Sequence, residues 1–277
     1  MITEKGGALS VTEILKAVLL GVIQGVTEWL PVSSTGHMIL FDAFLPMQAS
    51  TEFRSLFLVV IQLFSVLAVV CVYRRRLLPK KKGSGDRFRL WKRILVAALP
   101  AAILGMLLDD LIEETFYTPF MVSLMLIIYG VIFLLIEKRS KNSKFFEAED
   151  IDTKASLKIG AFQALSLIPG TSRSGATVIG GLLAGADRPV ATEFSFFLAI
   201  PIMLGASALR IVKYFASGDL LTGEEWLFLL VGGITAFLVS LVTVRFLSDF
   251  VKRHSFRVFG IYRILLGIIL LILMNFA

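Results

Sequence analysis

Cysteine is nearly absent from this chain. Cys71 stands alone, so no intramolecular disulfide and no thiolate metal cluster is available. Charge is thin as well: Asp, Glu, Lys and Arg make up 18% of 277 residues, less than a soluble domain of this size carries. Strict alternation of apolar and polar residues is missing, which excludes a transmembrane β-barrel. A cleavable leader is not evident either. Met1 to Lys5 holds one Glu and one Lys, and no clear cleavage site follows the first apolar run. What remains is hydrophobic: 56% of the residues, with a mean hydropathy of +0.82. The apolar residues come in long continuous runs, the mark of a polytopic α-helical membrane protein. The net charge of +7 sits mostly in segments beside those runs. That is the positive-inside pattern and not a nucleic-acid footprint, so no nucleic-acid partner is expected.

Six segments read as full spans, at about 55–73, 94–108, 118–136, 192–212, 226–246 and 257–276. Two further regions, about 10–45 and 155–187, are apolar but broken in the middle by Pro, Gly and Ser. Each half of such a break is too short to cross alone, so each region is expected to form a re-entrant helix hairpin. Ser10 with Glu13 fits a capping box opening the first hairpin, and Thr222 with Glu225 fits one opening the fifth span. The basic stretch from Arg74 to Arg93 is expected in the cytoplasm, with Lys138 to Lys141 and Lys252 to Arg257. The acidic connection Asp109 to Glu114, and Asp219 to Glu225, are expected outside, as are both termini. The Arg74–Arg93 stretch either attracts anionic lipid head groups or only sets topology.

The two halves, about 10–137 and 155–276 of a single membrane domain, resemble each other. Gly21-Val-Ile-Gln24 matches Gly160-Ala-Phe-Gln163, Pro31-Val-Ser33-Ser34 matches Pro169-Gly170-Thr171-Ser172, and Thr51-Glu52-Phe53 matches Thr192-Glu193-Phe194. One hairpin plus three spans is an odd number of crossings, so the second copy must be inverted. The alternative is chance likeness between hydrophobic helices. Inverted repeats with broken helices place a site near the midplane, where the two polar stretches would meet.

Those stretches carry the chemistry. Gln24 and Glu28 are four apart on one helix face and could hold a hard divalent cation through oxygen. Equally, Glu28 could be protonated, with Gln24 as interhelical glue. Pro31-Val-Ser33-Ser34-Thr35-Gly36-His37 reads as a helix start, which both caps a helix and suits an anion. His37, one of two histidines, follows serines by three and four residues and could serve a Ser nucleophile as base or acid. In Pro169-Gly170-Thr171-Ser172-Arg173-Ser174-Gly175-Ala176-Thr177, glycines permit close backbone approach, hydroxyls and N–H groups suit phosphate, and Arg173 offers a bidentate donor. A purely structural Arg173–Glu28 ion pair is the other reading. Together the set fits phosphoryl chemistry on an anhydride whose carrier lives in the membrane.

At these residues the chain resembles the undecaprenyl pyrophosphate phosphatase, or bacitracin-resistance, family. Gln24 and Glu28 with Leu-Pro-Val-Ser-Ser-Thr-Gly-His meet its first motif, and Pro169 to Thr177 meet its second. The likeness extends to Glu193–Pro201 and to Ile261-Tyr262-Arg263. The resemblance implies an integral enzyme of the bacterial inner membrane that removes one phosphate from undecaprenyl pyrophosphate, at a site reached from the outer face. It implies a divalent cation, Mg²⁺ or Ca²⁺, with Glu28 and Gln24 as its partners. It implies Ser34 as favoured nucleophile with Ser33 and Thr35 beside it, His37 as acid or base, and Arg173 on the pyrophosphate. Gly170, Thr171, Ser172, Ser174 and Thr177 complete the substrate-binding set. Gln24 stands where many members carry a second Glu. Direct attack by metal-activated water is the rival to a Ser34 intermediate. A polyprenyl-phosphate flippase or transporter is the competing function. It would not need Glu28, Ser34, His37 and Arg173 in full. A homodimer is compatible with either.

Overall fold

The structure, a computed structural model, describes residues 11–78, 85–136 and 143–276. The described residues form ten α-helices with two short 3-10 turns and no strand. They are α1 (Val11–Thr27), α2 (Ser34–Phe44), α3 (Thr51–Leu77), α4 (Gly85–Phe116), α5 (Pro119–Ile136), α6 (Thr153–Ala164), α7 (Arg173–Ala184), α8 (Arg188–Ala216), α9 (Gly223–Arg253) and α10 (Arg257–Phe276). Six of them (α3, α4, α5, α8, α9 and α10) are long and apolar enough to cross a bilayer, as the six apolar runs predict.

The two broken regions are helix pairs. α1 ends at Thr27 and α2 starts at Ser34; α6 ends at Ala164 and α7 starts at Arg173. Helices of 11 or 12 residues, such as α2, α6 and α7, extend only about 16–18 Å. That is short of the roughly 30 Å apolar core of a bilayer.

Polar helix ends differ from the expectation. Arg74, Arg75 and Arg76 form the last turn of α3, and Lys252 and Arg253 that of α9, where free-standing loops were expected. Residues 109–114 continue α4 to Phe116, and the actual connection is two residues. Charge ends an apolar span, but it does not end the backbone hydrogen-bond ladder. The helix simply runs on beyond hydrocarbon. Thr222 and Glu225 form the expected capping box. Ser10 lies outside the described residues; its proposed partner Glu13 pairs with Lys16 at 2.7 Å and accepts from the Gln48 N–H.

Packing crosses between the halves: α1 lies on α9 and α6 on α4, while α3 pairs with α8 and α5 with α10. Without water there is little hydrophobic drive between helices, so close approach depends on small residues. A Cβ on Gly21 would stand 2.6 Å from the Gly232 carbonyl oxygen on α9. One on Gly160 would strike the Ala97 carbonyl on α4. Gly160→Ala is therefore expected to lower stability by about 1–3 kcal/mol, the usual cost of overpacking. Thermal unfolding of the detergent-solubilised protein would read this as a lowered midpoint. An unchanged midpoint would mean that α4 and α6 are not held at this spacing.

Candidate functional site

Each helix pair bends through a serine held in a backbone conformation that L-residues avoid. Ser33 has φ 73° and ψ 99°; Ser172 has φ 72° and ψ 119°. They are the only non-glycine residues with positive φ among those described. Each caps the helix that follows: Ser33 Oγ accepts from the Gly36 N–H at 3.4 Å, and Ser172 Oγ from the Gly175 N–H at 3.1 Å. Such strain costs about 1–3 kcal/mol per residue and persists where surrounding structure imposes it, typically at ligand sites. The cap geometry equates Ser33 with Ser172. This differs by one residue from the register that aligns Pro31 with Pro169, because the turn conformation and not the proline defines the helix start. Ser34 and Arg173 thereby become equivalent: each is the first helical residue after its cap.

Both residues converge on one carboxylate. Ser34 Oγ donates to Glu28 Oε2 at 3.1 Å, and Gln24 Nε2 donates to the same oxygen at 3.1 Å. Arg173 donates to Glu28 Oε1 through Nε and Nη2, both at 3.3 Å. Glu28 is 4% exposed, so this carboxylate sits inside the protein at the junction of the two broken segments. Arg173 Nη1 donates to the Ser195 carbonyl on α8 at 2.9 Å, and its guanidinium lies 5.6 Å from the Trp29 ring centroid. Trp29 is itself pinned, its Nε1–H donating to Ser65 Oγ at 3.0 Å. The Arg173–Glu28 ion pair is thus present. Its two contacts are long and share one oxygen, so it is not the parallel two-oxygen fork that Arg and carboxylate form at their strongest.

His37 takes a different position from a base on Ser34. Its Nδ1 lies 2.8 Å from the Ser33 carbonyl oxygen. A carbonyl only accepts, so Nδ1 carries the proton in the neutral ring, and Nε2 accepts from the Tyr262 hydroxyl at 2.6 Å. The two rings also stack, nearly parallel, with centroids 5.6 Å apart. The Ser34 hydroxyl points instead to Glu28.

The second polar stretch divides its labour. Ser174 Oγ donates to the Leu30 carbonyl at 3.2 Å, stitching the second bend to the first. Thr177 Oγ1 donates to the Arg173 carbonyl at 2.9 Å and is hydrogen-bonded to the Ser195 hydroxyl, so it braces α7 against α8. Gly170, with φ 88°, and Thr171 present their carbonyls to Arg263. Ser172 Oγ also meets Ser174 Oγ at 3.2 Å. Thr35 follows Ser34 in the first turn of α2 and is partly exposed.

Three participants were not singled out from motif spacing. Arg263 and Tyr262 come from α10, more than 200 residues away from the first stretch, and Ser195 contributes a carbonyl that no side-chain pattern reveals. Only the family resemblance, through the run Ile261-Tyr262-Arg263, signalled α10 in advance.

The donor set is compatible with a hard cation. Glu28 offers its carboxylate and Ser34 its hydroxyl, while Gln24 turns its amide nitrogen to Glu28 and would offer oxygen only with the amide flipped. Among the described residues no group of three His, Cys, Asp or Glu forms a complete metal cage.

The chain is similar to known proteins over almost its whole length. The family model described as bacitracin resistance protein BacA matches residues 17–269. The chain is 51% identical over 263 residues to an undecaprenyl-diphosphatase of Enterococcus faecalis, covering 92% of this chain and 95% of the relative. It is 50% identical over 267 residues to undecaprenyl-diphosphatase 1 of Clostridioides difficile, covering 95% and 96%. A Lactococcus lactis undecaprenyl-diphosphatase is 49% identical over 274 residues, covering 94% and 96%. With two bends of matching geometry closing on Glu28, and a match from α1 to α10, the chain belongs to the bacitracin resistance protein BacA family.

Proposed function

We infer that this protein is a membrane-embedded undecaprenyl-diphosphatase, hydrolysing undecaprenyl pyrophosphate to undecaprenyl phosphate and inorganic phosphate. The observation that carries the reading is the single buried carboxylate shared by Ser34 and Arg173. It joins a hydroxyl nucleophile, an acceptor for its proton and a phosphate-binding cation in one place. Relatives at half identity carry the diphosphatase name, which favours hydrolysis over lipid carriage across the bilayer.

The chemistry follows from the contacts. The terminal phosphoryl group lies against the starts of α2 and α7, whose free N–H groups and dipoles favour an anion. Ser34 Oγ attacks the terminal phosphorus, its proton passing to Glu28 Oε2. The bond to the bridging oxygen breaks, and undecaprenyl phosphate leaves. Water then attacks the phosphoserine, releasing phosphate and restoring the hydroxyl. Arg173 pairs with Glu28 and supplies charge to the phosphoryl oxygens, consistent with a transfer that depends on positioning and charge neutralisation. His37 is held at both ring nitrogens, by the Ser33 carbonyl and the Tyr262 hydroxyl, so a proton relay through it in the hydrolytic step requires exchange of one of those bonds. Mg²⁺ or Ca²⁺ would be held by Glu28 and Gln24, and when bound would supply further neutralisation of phosphate charge.

The two helix pairs are re-entrant hairpins, and the halves are inverted repeats meeting at this junction. The matched caps and the reciprocal packing of α1 on α9 and α6 on α4 support this arrangement. The protein is placed in the bacterial inner membrane with both termini outside, the site opening to the outer face and a homodimer as its assembly. The test of function is phosphate release from undecaprenyl pyrophosphate by the purified protein. Release that falls at least a hundredfold with a chelator and returns with Mg²⁺ or Ca²⁺ is expected, about the scale on which removal of an electrostatic stabiliser acts. Folded protein that releases none would remove the enzymatic reading. Release indifferent to chelation would remove the metal.

A further inference from the structure

Arg263 is 0% exposed and lies behind both bends. Its Nη1 donates to the Pro31 carbonyl in the first bend at 3.3 Å. Its Nη2 donates to the Gly170 and Thr171 carbonyls in the second, both at 2.9 Å, and more weakly to Met125 at 3.5 Å. One guanidinium therefore ties the two signature segments to each other and to α5. Among the described residues no carboxylate pairs with it: its hydrogen-bonded N–H groups go to carbonyl oxygens, its Nε is buried without a partner, and its guanidinium lies 5.6 Å from the Tyr129 ring centroid. A second, independent feature is its closeness to the start of α7. A Cβ on Gly175 would stand 3.3 Å from Nη1, so the charge reaches the same helix start that Ser172 caps.

The charge count at the junction is then uneven. Arg173 and Arg263 are both cationic, and the starts of α2 and α7 add partial positive charge. Against them stands one carboxylate, Glu28. A buried charge is tolerated when something compensates it, and a multiply charged anion seated between the helix starts would compensate this surplus. The substrate of the proposed reaction carries up to three negative charges and its lipid product up to two. A surplus of positive charge in a low-dielectric site separates the two by the extra charge.

We propose that Arg263 is a positioning and selectivity residue: it holds the two bends in register and makes the site prefer the pyrophosphate substrate over the monophosphate product. This rests on the diphosphatase reading. It goes beyond it in explaining how product leaves a site built from the same groups that bind substrate.

The test compares Arg263→Gln, which keeps N–H donors but not the charge, with Arg263→Lys, which keeps the charge. KM for undecaprenyl pyrophosphate and the inhibition constant of undecaprenyl phosphate are measured for each. Arg263→Gln is expected to lose substrate affinity more than product affinity, so that the inhibition constant divided by KM falls by about tenfold, the scale of one screened charge. Arg263→Lys is expected to lose kcat through poorer positioning while keeping most of the wild-type ratio. A merely structural residue would lower kcat and thermal midpoint in both variants and leave the ratio alone, and that result would overturn the proposal. So would equal loss of the ratio in both. Where Arg263→Gln does not fold, Arg263→Met of similar length carries the same comparison. Should the wild type release no phosphate, the diphosphatase reading fails. Arg263 is then tested by binding of inorganic pyrophosphate against inorganic phosphate. Preference for pyrophosphate that Arg263→Lys keeps and the neutral variant loses would sustain the proposal. Equal binding of the two anions by wild type would end it.

Discussion

Replacing Glu28 with Gln is expected to lower turnover of undecaprenyl pyrophosphate by about a thousandfold, within the range a general base contributes. The change is isosteric, so the bends keep their shape, but three interactions alter together. Oε2 no longer accepts a proton from Ser34 Oγ, which lies 3.1 Å away. Gln24 faces an amide instead of a carboxylate. Arg173, held through Oε1 at two 3.3 Å contacts, becomes a buried cation with no ionic partner. Removing one member of a buried pair costs about 3–5 kcal/mol when nothing replaces it. The amide oxygen of Gln still accepts from Arg173, so the loss of stability should fall below that range. Steady-state phosphate release and thermal unfolding, measured on one preparation, separate the effects. A folded Glu28→Gln protein with wild-type turnover would remove Glu28 from both proton transfer and metal binding.

Ser34→Ala is expected to abolish any covalent phosphoryl-enzyme and to reduce turnover by a comparable factor, about a thousandfold, as for loss of a nucleophile with its base left in place. Rapid acid quench with substrate labelled in the terminal phosphate should trap label on wild-type protein and none on the variant. Ser33 cannot simply substitute. It is buried, its Oγ accepts from Gly36, and its strained backbone caps α2. Wild-type-like turnover in Ser34→Ala would assign the attack to water. Glu28 would remain the base in that case, because it is the carboxylate at the junction. The two substitutions therefore discriminate: loss in both supports the serine route, and loss in Glu28→Gln alone supports water.

The equivalence of Ser34 and Arg173 carries a wider point about this fold. Each occupies the first helical position after a strained serine cap, and each turns toward the same carboxylate from opposite sides. One contributes a hydroxyl and the other a guanidinium. The two bends thus share a backbone device and differ in the chemistry they carry. Glu28 has Leu167 at the corresponding place in the second half, counted in the register of the caps. Only one half supplies the acid, and the site is asymmetric although the scaffold is paired.

Legibility in the sequence followed the range of the forces involved. Apolar runs specify helices because hydrocarbon leaves the backbone no partner but itself, and the six crossing helices were readable for that reason. Gln24, Glu28, Ser34 and Arg173 were readable because polar residues between apolar segments are costly without a purpose. Helix ends were less so. Arg74–Arg76 and residues 109–114 read as loops, since loop assignment rested on charge, and charge is tolerated on a helix once it has left the apolar layer. The match of Gly21–Gln24 with Gly160–Gln163 has the same offset as the two serine caps, whereas aligning Pro31 with Pro169 departs from it by one residue, because prolines align by identity and φ and ψ at Ser33 and Ser172 define the turn.

By itself, then, the sequence determined the membrane class, the number of long apolar helices, the two interrupted segments and the chemical inventory between them. All of these depend on local composition and on backbone hydrogen bonding. Only the tertiary structure decided that the Ser34 hydroxyl goes to Glu28 while His37 goes to Tyr262. It alone brought in the Ser195 carbonyl, and it alone stapled both bends with a lone buried Arg263 from the last helix. These pairings join residues far apart in the chain through contacts of about 3 Å, the ordinary hydrogen-bond length. Contacts that short depend on how helices from the two halves pack, and no periodicity along the chain encodes that.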